Sequence, residues 1–259
     1  MLATALDRER GFTLTELAVV FTIISLLLAT ALFTLSAQTE QRNFEETRRR
    51  LEAARELILA FAIVNGRLPC PATAASAGAE AFTGANCTMP YPSATDGFLP
   101  GRAIGFQIVD AGGFALDAWQ NRIRYAVSSH AVALVGCTGS TTQPHFTNAA
   151  NLRTNGITCQ PGDLVICNRS PATVTNTTCD ANTSVTNQNL VVAIAFSTGK
   201  NSATGGTGTN EARNLDNIAL FVSRTPDPVG AAGGEFDDQM LWITVGELYG
   251  KLIAAGLLP

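Results

Sequence analysis

Residues 10–16, RGFTLTE, and the apolar run behind them decide the fold of this chain. Between residues 12 and 35 the sole formal charge is Glu16. At 1.5 Å per residue this run forms about 36 Å of helix, more than the roughly 30 Å hydrocarbon core of a bilayer. A charged side chain inside such a run costs on the order of 2.5–3.5 kcal/mol. A membrane anchor does not need this carboxylate, so we interpret Glu16 as a functional residue.

The same stretch resembles the prepilin signature of type IV pilins and type II secretion pseudopilins. A short polar leader ends in Gly11, and Phe12, Thr-Leu-x-Glu and a long apolar run follow it. The resemblance implies that a prepilin peptidase cuts between Gly11 and Phe12 and methylates the new Phe12 amine. Glu16 is then the fifth residue of the mature chain. The resemblance further implies that Glu16 pairs with the N-terminal amine of a neighbouring subunit during assembly.

Two plainer interpretations of the N-terminal run are a secretory signal peptide and a simple single-pass anchor. A signal peptide has an apolar core of about 7–15 residues, shorter than this run. The Gly11–Phe12 junction together with Glu16 weighs against a simple anchor. The basic residues that flank the run do not settle its orientation. The cysteines favour a C-terminal domain outside the cytoplasm, because disulfides persist in oxidising compartments.

Composition bounds the rest of the chain. The 259 residues are 46% hydrophobic, which suits one large domain behind an anchor. A net charge of −4 argues against a basic nucleic-acid-binding surface. The six cysteines contain no Cys-x-x-Cys pair, so we predict disulfides rather than a zinc site. Of the 15 possible pairings we expect the one between sequence neighbours: Cys70 with Cys87, Cys137 with Cys159, and Cys167 with Cys179.

The helix is predicted to continue past the membrane segment as one element from Phe12 to Val64, because no Pro or Gly interrupts it. An apolar-to-small stripe marks its inner face, and Asn65-Gly66 ends it; the stripe consists of Phe44, Thr47, Leu51, Ala54, Ile58, Phe61 and Asn65. Many major pilins carry Pro at the twenty-second mature residue, which is Phe33 here. The missing Pro suggests a minor or specialised subunit.

A run of three arginines, residues 48–50, lies on this helix, and each has a glutamate four positions away. Such pairs stabilise a helix by about 0.2–0.5 kcal/mol each. We therefore interpret the run as a solvated, self-paired face rather than a nucleic-acid or phospholipid site.

Short strands are predicted in the C-terminal part, within 100–109, 131–135, 164–167, 190–196 and 218–222, with 190–196 in the centre of the sheet. Residues 116–127 are similar to the Asp-x-Trp-Gly-Asn block of major pseudopilins, with Gln120 in place of Gly. Trp242, Val245 and Leu252 indicate a final amphipathic helix.

The predicted fold class is therefore α+β. A long N-terminal helix, transmembrane in its first half, packs on an antiparallel β-sheet with a disulfide-stapled, loop-rich insertion. The predicted segments are a leader (1–11), a transmembrane and assembly helix (12–35) and a periplasmic globular domain (36–259). Within that domain, 36–65 is helix on the sheet and 136–188 is the cysteine-rich insertion.

No catalytic constellation stands out, and we predict that the chain is not an enzyme. His130 and His145 are expected to be surface or loop histidines. One acidic, glycine-rich loop resembles the calcium-binding C-terminal loop of major pseudopilins, with Asp227, Asp237 and Asp238 as ligands. Alternatively this is a solvated loop in which Asp237 or Asp238 caps the final helix. Calcium is the one cofactor that the sequence suggests.

The sequence thus predicts a structural subunit of a type II secretion pseudopilus or a type IV pilus, anchored in the inner membrane and then assembled into a helical filament. Its expected partners are other pilin or pseudopilin subunits, the prepilin peptidase, an inner-membrane assembly platform and the membrane itself, with no nucleic acid. The alternative is a membrane-tethered periplasmic binding domain or hydrolase with a similar anchor.

Overall fold

The computed structural model describes residues 13–129, 144–173, 177–202, 209–228, 230–231 and 234–258, and for residues 30–37 it describes the backbone alone. The chain divides into two compact units, Met1–Glu45 and Glu46–Pro259. In chain order the helices and strands are α1 (Leu14–Asn65), β1 (Phe82–Thr83), β2 (Asn86–Cys87), α2 (Gly101–Ile104), β3 (Arg124–Val127), α3 (Ala149–Asn155), β4 (Val165–Cys167), β5 (Val191–Ser197), α4 (Thr209–Arg213), β6 (Leu220–Val222), β7 (Gln239–Thr244) and α5 (Val245–Ala254).

The long N-terminal helix is present as a single element, α1, with bounds close to the predicted ones. It ends where the sequence predicts, because Gly66 adopts a left-handed conformation (φ +66°) that glycine tolerates best. The Gly66 amide donates a hydrogen bond to the Ala62 carbonyl at 2.8 Å. In the part of the chain that the structure describes, no helix combines the length and the apolar content needed to cross a membrane.

The core of the second unit lies between α1 and a sheet. Leu51, Ala54 and Ile58 of the predicted stripe are buried in one cluster with side chains of β3, β5 and β7. Complete burial of a Leu or Ile side chain stabilises a fold by about 1.5–3 kcal/mol. This stripe therefore accounts for the docking of residues 46–65 on the sheet.

Among the described residues the sheet has the order β3-β5-β7, and both of its pairings are antiparallel. Every residue of β5 is buried, as expected for the predicted central strand. Its second face packs against a layer that contains Leu164, Ile166 and Phe221. In that layer β4 pairs in parallel with β6, a pairing that the sequence did not predict. The predicted α+β class is confirmed.

The Asp-x-Trp block forms a tight turn against α1. The Asp117 carboxylate accepts hydrogen bonds from the Asn121 amide (2.8 Å) and the Ser197 hydroxyl (2.5 Å). Gln120 adopts φ +69°, a conformation in which glycine is free of strain. The block is anchored to the helix because Arg50 Nη1 donates to the Asp117 carbonyl at 2.6 Å.

Three predictions about local structure are wrong. The segment 100–109 begins with α2, a short helix closed by Gly105 in a left-handed conformation, and does not form the expected strand. Trp242 lies in β7 rather than in the final helix, which begins at Val245. That helix is capped by Thr244, whose hydroxyl accepts from the Glu247 amide, so neither Asp237 nor Asp238 is its cap.

Disulfides form as predicted between Cys70 and Cys87 and between Cys167 and Cys179. Cys159 is also disulfide-bonded. Its predicted partner Cys137 lies outside the described residues, as do the leader, Gly11, Phe12, His130 and the strand predicted at 131–135.

Candidate functional site

In the described part of the chain, one group of carboxylates lies close enough together that it could hold a metal ion. Glu211 of α4 and Asp237 and Asp238, which precede β7, each place one oxygen within 4.8 Å of the others. Their exposed fractions are only 2%, 4% and 6%. Three buried carboxylates so close together repel one another when all are ionised.

Hydrogen bonds from nearby groups fix these carboxylates in place. Glu211 accepts from the Asp237 amide at 2.8 Å and from Asn201 Nδ2 at 2.9 Å. Asp238 Oδ2 accepts from Asn214 Nδ2 at 2.6 Å. Asp237 Oδ2 accepts from the Lys200 amide at 2.9 Å, whereas its Oδ1 is buried and has no hydrogen-bond partner among the described residues.

The electrostatics of the cluster favour added positive charge. Burial raises the pKa of Asp237 to about 6, against the hydrogen bond from Lys200, and the neighbouring Glu211 and Glu235 carboxylates add to the shift. Burial also raises the pKa of Asp238 well above its usual range, and Glu211 and Asp237 again contribute. A proton or a cation at this position relieves the repulsion.

The structure brings together two of the three predicted calcium ligands. Asp227 is not in the cluster: its backbone pairs with Phe236, and its carboxylate forms an ion pair with Arg224. Glu211 occupies the third position, and the sequence analysis missed it because it lies 26 residues before Asp237. Carboxylate oxygens suit Ca²⁺, and the open Asp237 Oδ1 is a free ligand position, so the residues present fit that ion.

A second candidate site lies at the start of α1. Glu16 Oε2 accepts hydrogen bonds from the Thr13 amide (2.9 Å) and the Thr13 hydroxyl (2.8 Å). The Glu16 amide in turn lies 3.3 Å from Thr13 Oγ1. This reciprocal arrangement is a capping box, which satisfies amides that the first helical turn leaves without partners. The Thr-x-x-Glu pattern of residues 13–16 is the sequence signal for this box, and it gives Glu16 a structural role beside the predicted assembly role.

The helix that follows Glu16 presents its apolar side chains to solvent. Every side chain from residue 13 to residue 29 is exposed. Beyond Glu16, the two hydroxyls of this stretch bond to the helix itself: Thr22 to the Ala18 carbonyl and Ser25 to the Phe21 carbonyl. The surface of this helix segment is therefore apolar on all sides beyond its first turn. Such a surface is typical of a helix that is buried among other apolar groups.

Residues 6–32 match the family model of the prokaryotic N-terminal methylation motif. The chain carries the prepilin-type motif of pilins and pseudopilins. The match includes the Gly11–Phe12 junction and Glu16 and ends within α1, so it does not extend to the globular unit. No curated protein and no solved structure matches the chain.

His145 lies in a loop, which was one of the two predicted settings, but it is not on the surface. It is 5% exposed, and its Nε2 lies 3.3 Å from the Tyr249 hydroxyl oxygen. The Tyr249 hydroxyl donates to the Cys159 carbonyl, so its oxygen accepts from Nε2. Nδ1 has no hydrogen-bond partner among the described residues. Burial therefore lowers the pKa of His145 to about 4.

Arg48 and Arg50 of the arginine run are engaged within the protein. Arg48 forms an ion pair with Glu52 at 3.3 Å and Arg50 with Glu46 at 2.9 Å, both four residues apart as predicted. Arg50 also bonds to the Asp-x-Trp turn, so its guanidinium contributes to the packing of the domain.

Proposed function

We propose that this protein is a structural, pilin-like subunit that is processed at the Gly11–Phe12 junction, anchored in the inner membrane and assembled into a helical filament. The N-terminal methylation motif carries the proposal. The exposed apolar side chains of residues 13–29 support it, because such a surface requires a membrane before assembly and sister helices afterwards.

The assembly role of Glu16 has to be reconciled with its capping box. In an isolated subunit the carboxylate is held by Thr13. In a filament the methylated Phe12 amine of a neighbouring subunit supplies an opposite charge in a surrounding of low dielectric. An unpaired carboxylate there carries the full cost of burial, so the charge pair favours the correct axial register. We propose that Glu16 exchanges part of its bonding with Thr13 for this pair.

Two substitutions separate the charge of Glu16 from its capping role. Glu16→Gln keeps a capping side chain, because glutamine closes the box as glutamate does, but it removes the charge. Glu16→Ala removes both. We expect both variants to insert into the membrane and to fail in filament incorporation, as measured by shearing and immunoblotting of surface or pseudopilus fractions. Normal incorporation of Glu16→Gln together with failure of Glu16→Ala would assign Glu16 to capping alone.

The alternative is a tethered binding domain or hydrolase, and mass spectrometry of the native protein distinguishes the two functions. A chain that begins at methylated Phe12 supports the pilin-like subunit, whereas an intact Met1 supports the tether. Between the two filament systems, the Asp117–Asn121 turn and the acidic cluster favour a pseudopilin. The uninterrupted α1, with Phe33 where many major subunits have Pro, favours a minor subunit.

We also propose that Glu211, Asp237 and Asp238 bind Ca²⁺ when the subunit folds outside the cytoplasm. The bound ion would neutralise the mutual repulsion of the carboxylates and hold the segment before β7 against α4. The expected result is a rise in the thermal midpoint of the full chain in detergent when Ca²⁺ replaces a chelator. Asp237→Asn should abolish that rise, and Asp227→Asn, a matched control outside the cluster, should preserve it. No shift with Ca²⁺ in the unmodified chain would refute the site.

A further inference from the structure

We infer that binding of a cation at the carboxylate cluster is coupled to the contact between the Asp117–Asn121 turn and α1. The inference rests on the proposed Ca²⁺ site and adds a consequence of its occupation. The cluster and the turn are joined by residues 197–201, the last residue of β5 and the four that follow it. This connecting segment contacts the cluster on one side and the turn on the other, so a displacement of either one reaches the other.

The connecting segment holds Asp237 of the cluster closely. The Lys200 amide donates to Asp237 Oδ2 at 2.9 Å, and the Asn201 amide also bonds to this carboxylate. Asn201 Nδ2 donates to Glu211 at 2.9 Å, so the segment contacts two of the three carboxylates. Gly199 adopts φ +59°, and a Cβ at this position would lie 1.9 Å from Asp237 Oδ1. The close approach of the carboxylate to the backbone therefore requires glycine here.

The same segment holds the turn. The Ser197 hydroxyl donates to Asp117 Oδ2 at 2.5 Å and accepts from the Gly199 amide at 3.1 Å. Asn121 Nδ2 donates to the Gly199 carbonyl at 2.6 Å. Asp117 and Ser197 are both fully buried. Hydrogen bonds in such a low-dielectric surrounding reinforce one another, so the turn and the segment form one polar network.

Two side chains of α1 complete the path. Arg50 Nη1 donates to the Asp117 carbonyl at 2.6 Å. Thr47 is fully buried, and its Oγ1 accepts from the Ala118 amide at 3.1 Å. Both side chains belong to the unit Glu46–Pro259, as do the turn and the cluster. Hydrogen bonds therefore lead from the cluster to α1 within one compact unit.

The charge of the cluster gives the coupling its direction. When all three carboxylates are ionised and no cation is bound, they repel one another, and an outward displacement of Asp237 displaces the amides that it holds. Neutralisation removes that repulsion, and the connecting segment then keeps the position in which Gly199 accepts from Asn121. Coupling between two sites is reciprocal and typically changes an affinity about 5- to 150-fold. Release of the turn from Gly199 should therefore weaken Ca²⁺ binding by a factor in that range.

The fluorescence of Trp119, which lies within the turn, tests this coupling in the full chain in detergent. Trp242→Phe leaves Trp119 as the only tryptophan. Replacement of a chelator by Ca²⁺ should shift the Trp119 emission and raise the thermal midpoint over the same range of Ca²⁺ concentration. Asn121→Ala should abolish the emission shift and raise the Ca²⁺ concentration for the half-maximal thermal rise by about fivefold or more. Gln120→Ala, at an exposed position of the same turn, is the matched control and should preserve both responses.

Hydrogen exchange of the unmodified chain gives a second measurement that needs no variant. The Ala118 and Asn121 amides donate to Thr47 and Asp117, so peptides that span residues 116–122 should exchange more slowly with Ca²⁺ than with chelator. A thermal rise without either response in the turn would overturn the coupling and leave the Ca²⁺ site standing. An emission shift that persists in Asn121→Ala would overturn this route between the two places. No thermal rise would refute the site and the coupling together.

Discussion

The two ends of α1 differ in where they place their apolar residues. Residues 14–29 are almost entirely apolar, and all of their side chains are exposed. Residues 46–65 are rich in charge, yet the side chains of Leu51 and Ile58 are only 1% exposed. Both ends are therefore helical, and the position of the apolar residues decides which surroundings each end requires. An apolar surface all round requires an apolar surrounding, whereas a single stripe requires only one sheet.

A matched pair of alanine substitutions is the strongest test of this difference between the two ends of α1. Ile58→Ala leaves a cavity in the core and should lower the free energy of unfolding by about 2–5 kcal/mol. Ile24→Ala removes a 44% exposed side chain and should change it by no more than about 0.5 kcal/mol. Urea unfolding in detergent, followed by the fluorescence of Trp119 and Trp242, measures both. Filament yield should show the opposite ranking, and similar stability losses for the two variants would contradict the division of roles.

A fall in pH should lower the stability of the globular unit, because His145 belongs to that unit. Residues 14–29 contain no histidine and should not respond in this way. The folded-state pKa of His145, about 4, lies below the ordinary value of about 6.5. Its contribution to stability is therefore complete above pH 6.5 and is lost as the pH falls towards 4. We expect a loss on the order of 2–3 kcal/mol over that window.

His145→Gln is the control for this pH effect. Asp237, whose folded-state pKa is raised to about 6, acts in the opposite direction, because its protonation favours the folded state. The informative quantity is therefore the difference between the two proteins, measured by unfolding at pH 7, 5.5 and 4. Identical pH profiles would remove His145 from the explanation.

The smallest effect should come from the Asp117–Asn121 turn, which Arg50 of α1 holds within the globular unit. Gln120 has φ +69°, which costs a residue with a side chain about 1–2 kcal/mol relative to a right-handed conformation. Gln120→Gly should raise the free energy of unfolding by about 1 kcal/mol after the entropy of glycine is subtracted. Ala118→Gly, two residues earlier, gains nothing from a left-handed conformation and should be destabilising. A loss of stability in Gln120→Gly would contradict the strain at this position.

Features with local signals could be predicted from the sequence. The continuity of α1 follows from the absence of Pro and Gly, and its end follows from Asn65-Gly66. The Cys70–Cys87 and Cys167–Cys179 disulfides join sequence neighbours. The strand β5 is a continuous apolar run, so its central position was foreseeable.

Features that depend on distant residues could not be predicted. Glu211 joins Asp237 and Asp238 although the strand β6 lies between them in the chain. The parallel pairing of β4 with β6 connects segments more than fifty residues apart, for which the sequence has no local signal. Trp242 fits a helical pattern with Val245, and its place in β7 reflects pairing with Ile194. His145 is buried by Tyr249 and Phe146, and a histidine alone does not reveal its surroundings.

The Cys70–Cys87 and Cys167–Cys179 disulfides also set how far the subunit can be stretched. They close loops with sequence separations of 17 and 12 residues. At about 3.5 Å per extended residue, the two loops withhold roughly 100 Å of contour length from a chain pulled at its ends. A filament under tension would therefore extend less in an oxidising compartment than after reduction. Single-molecule pulling would show the difference directly as a longer extension of the reduced protein.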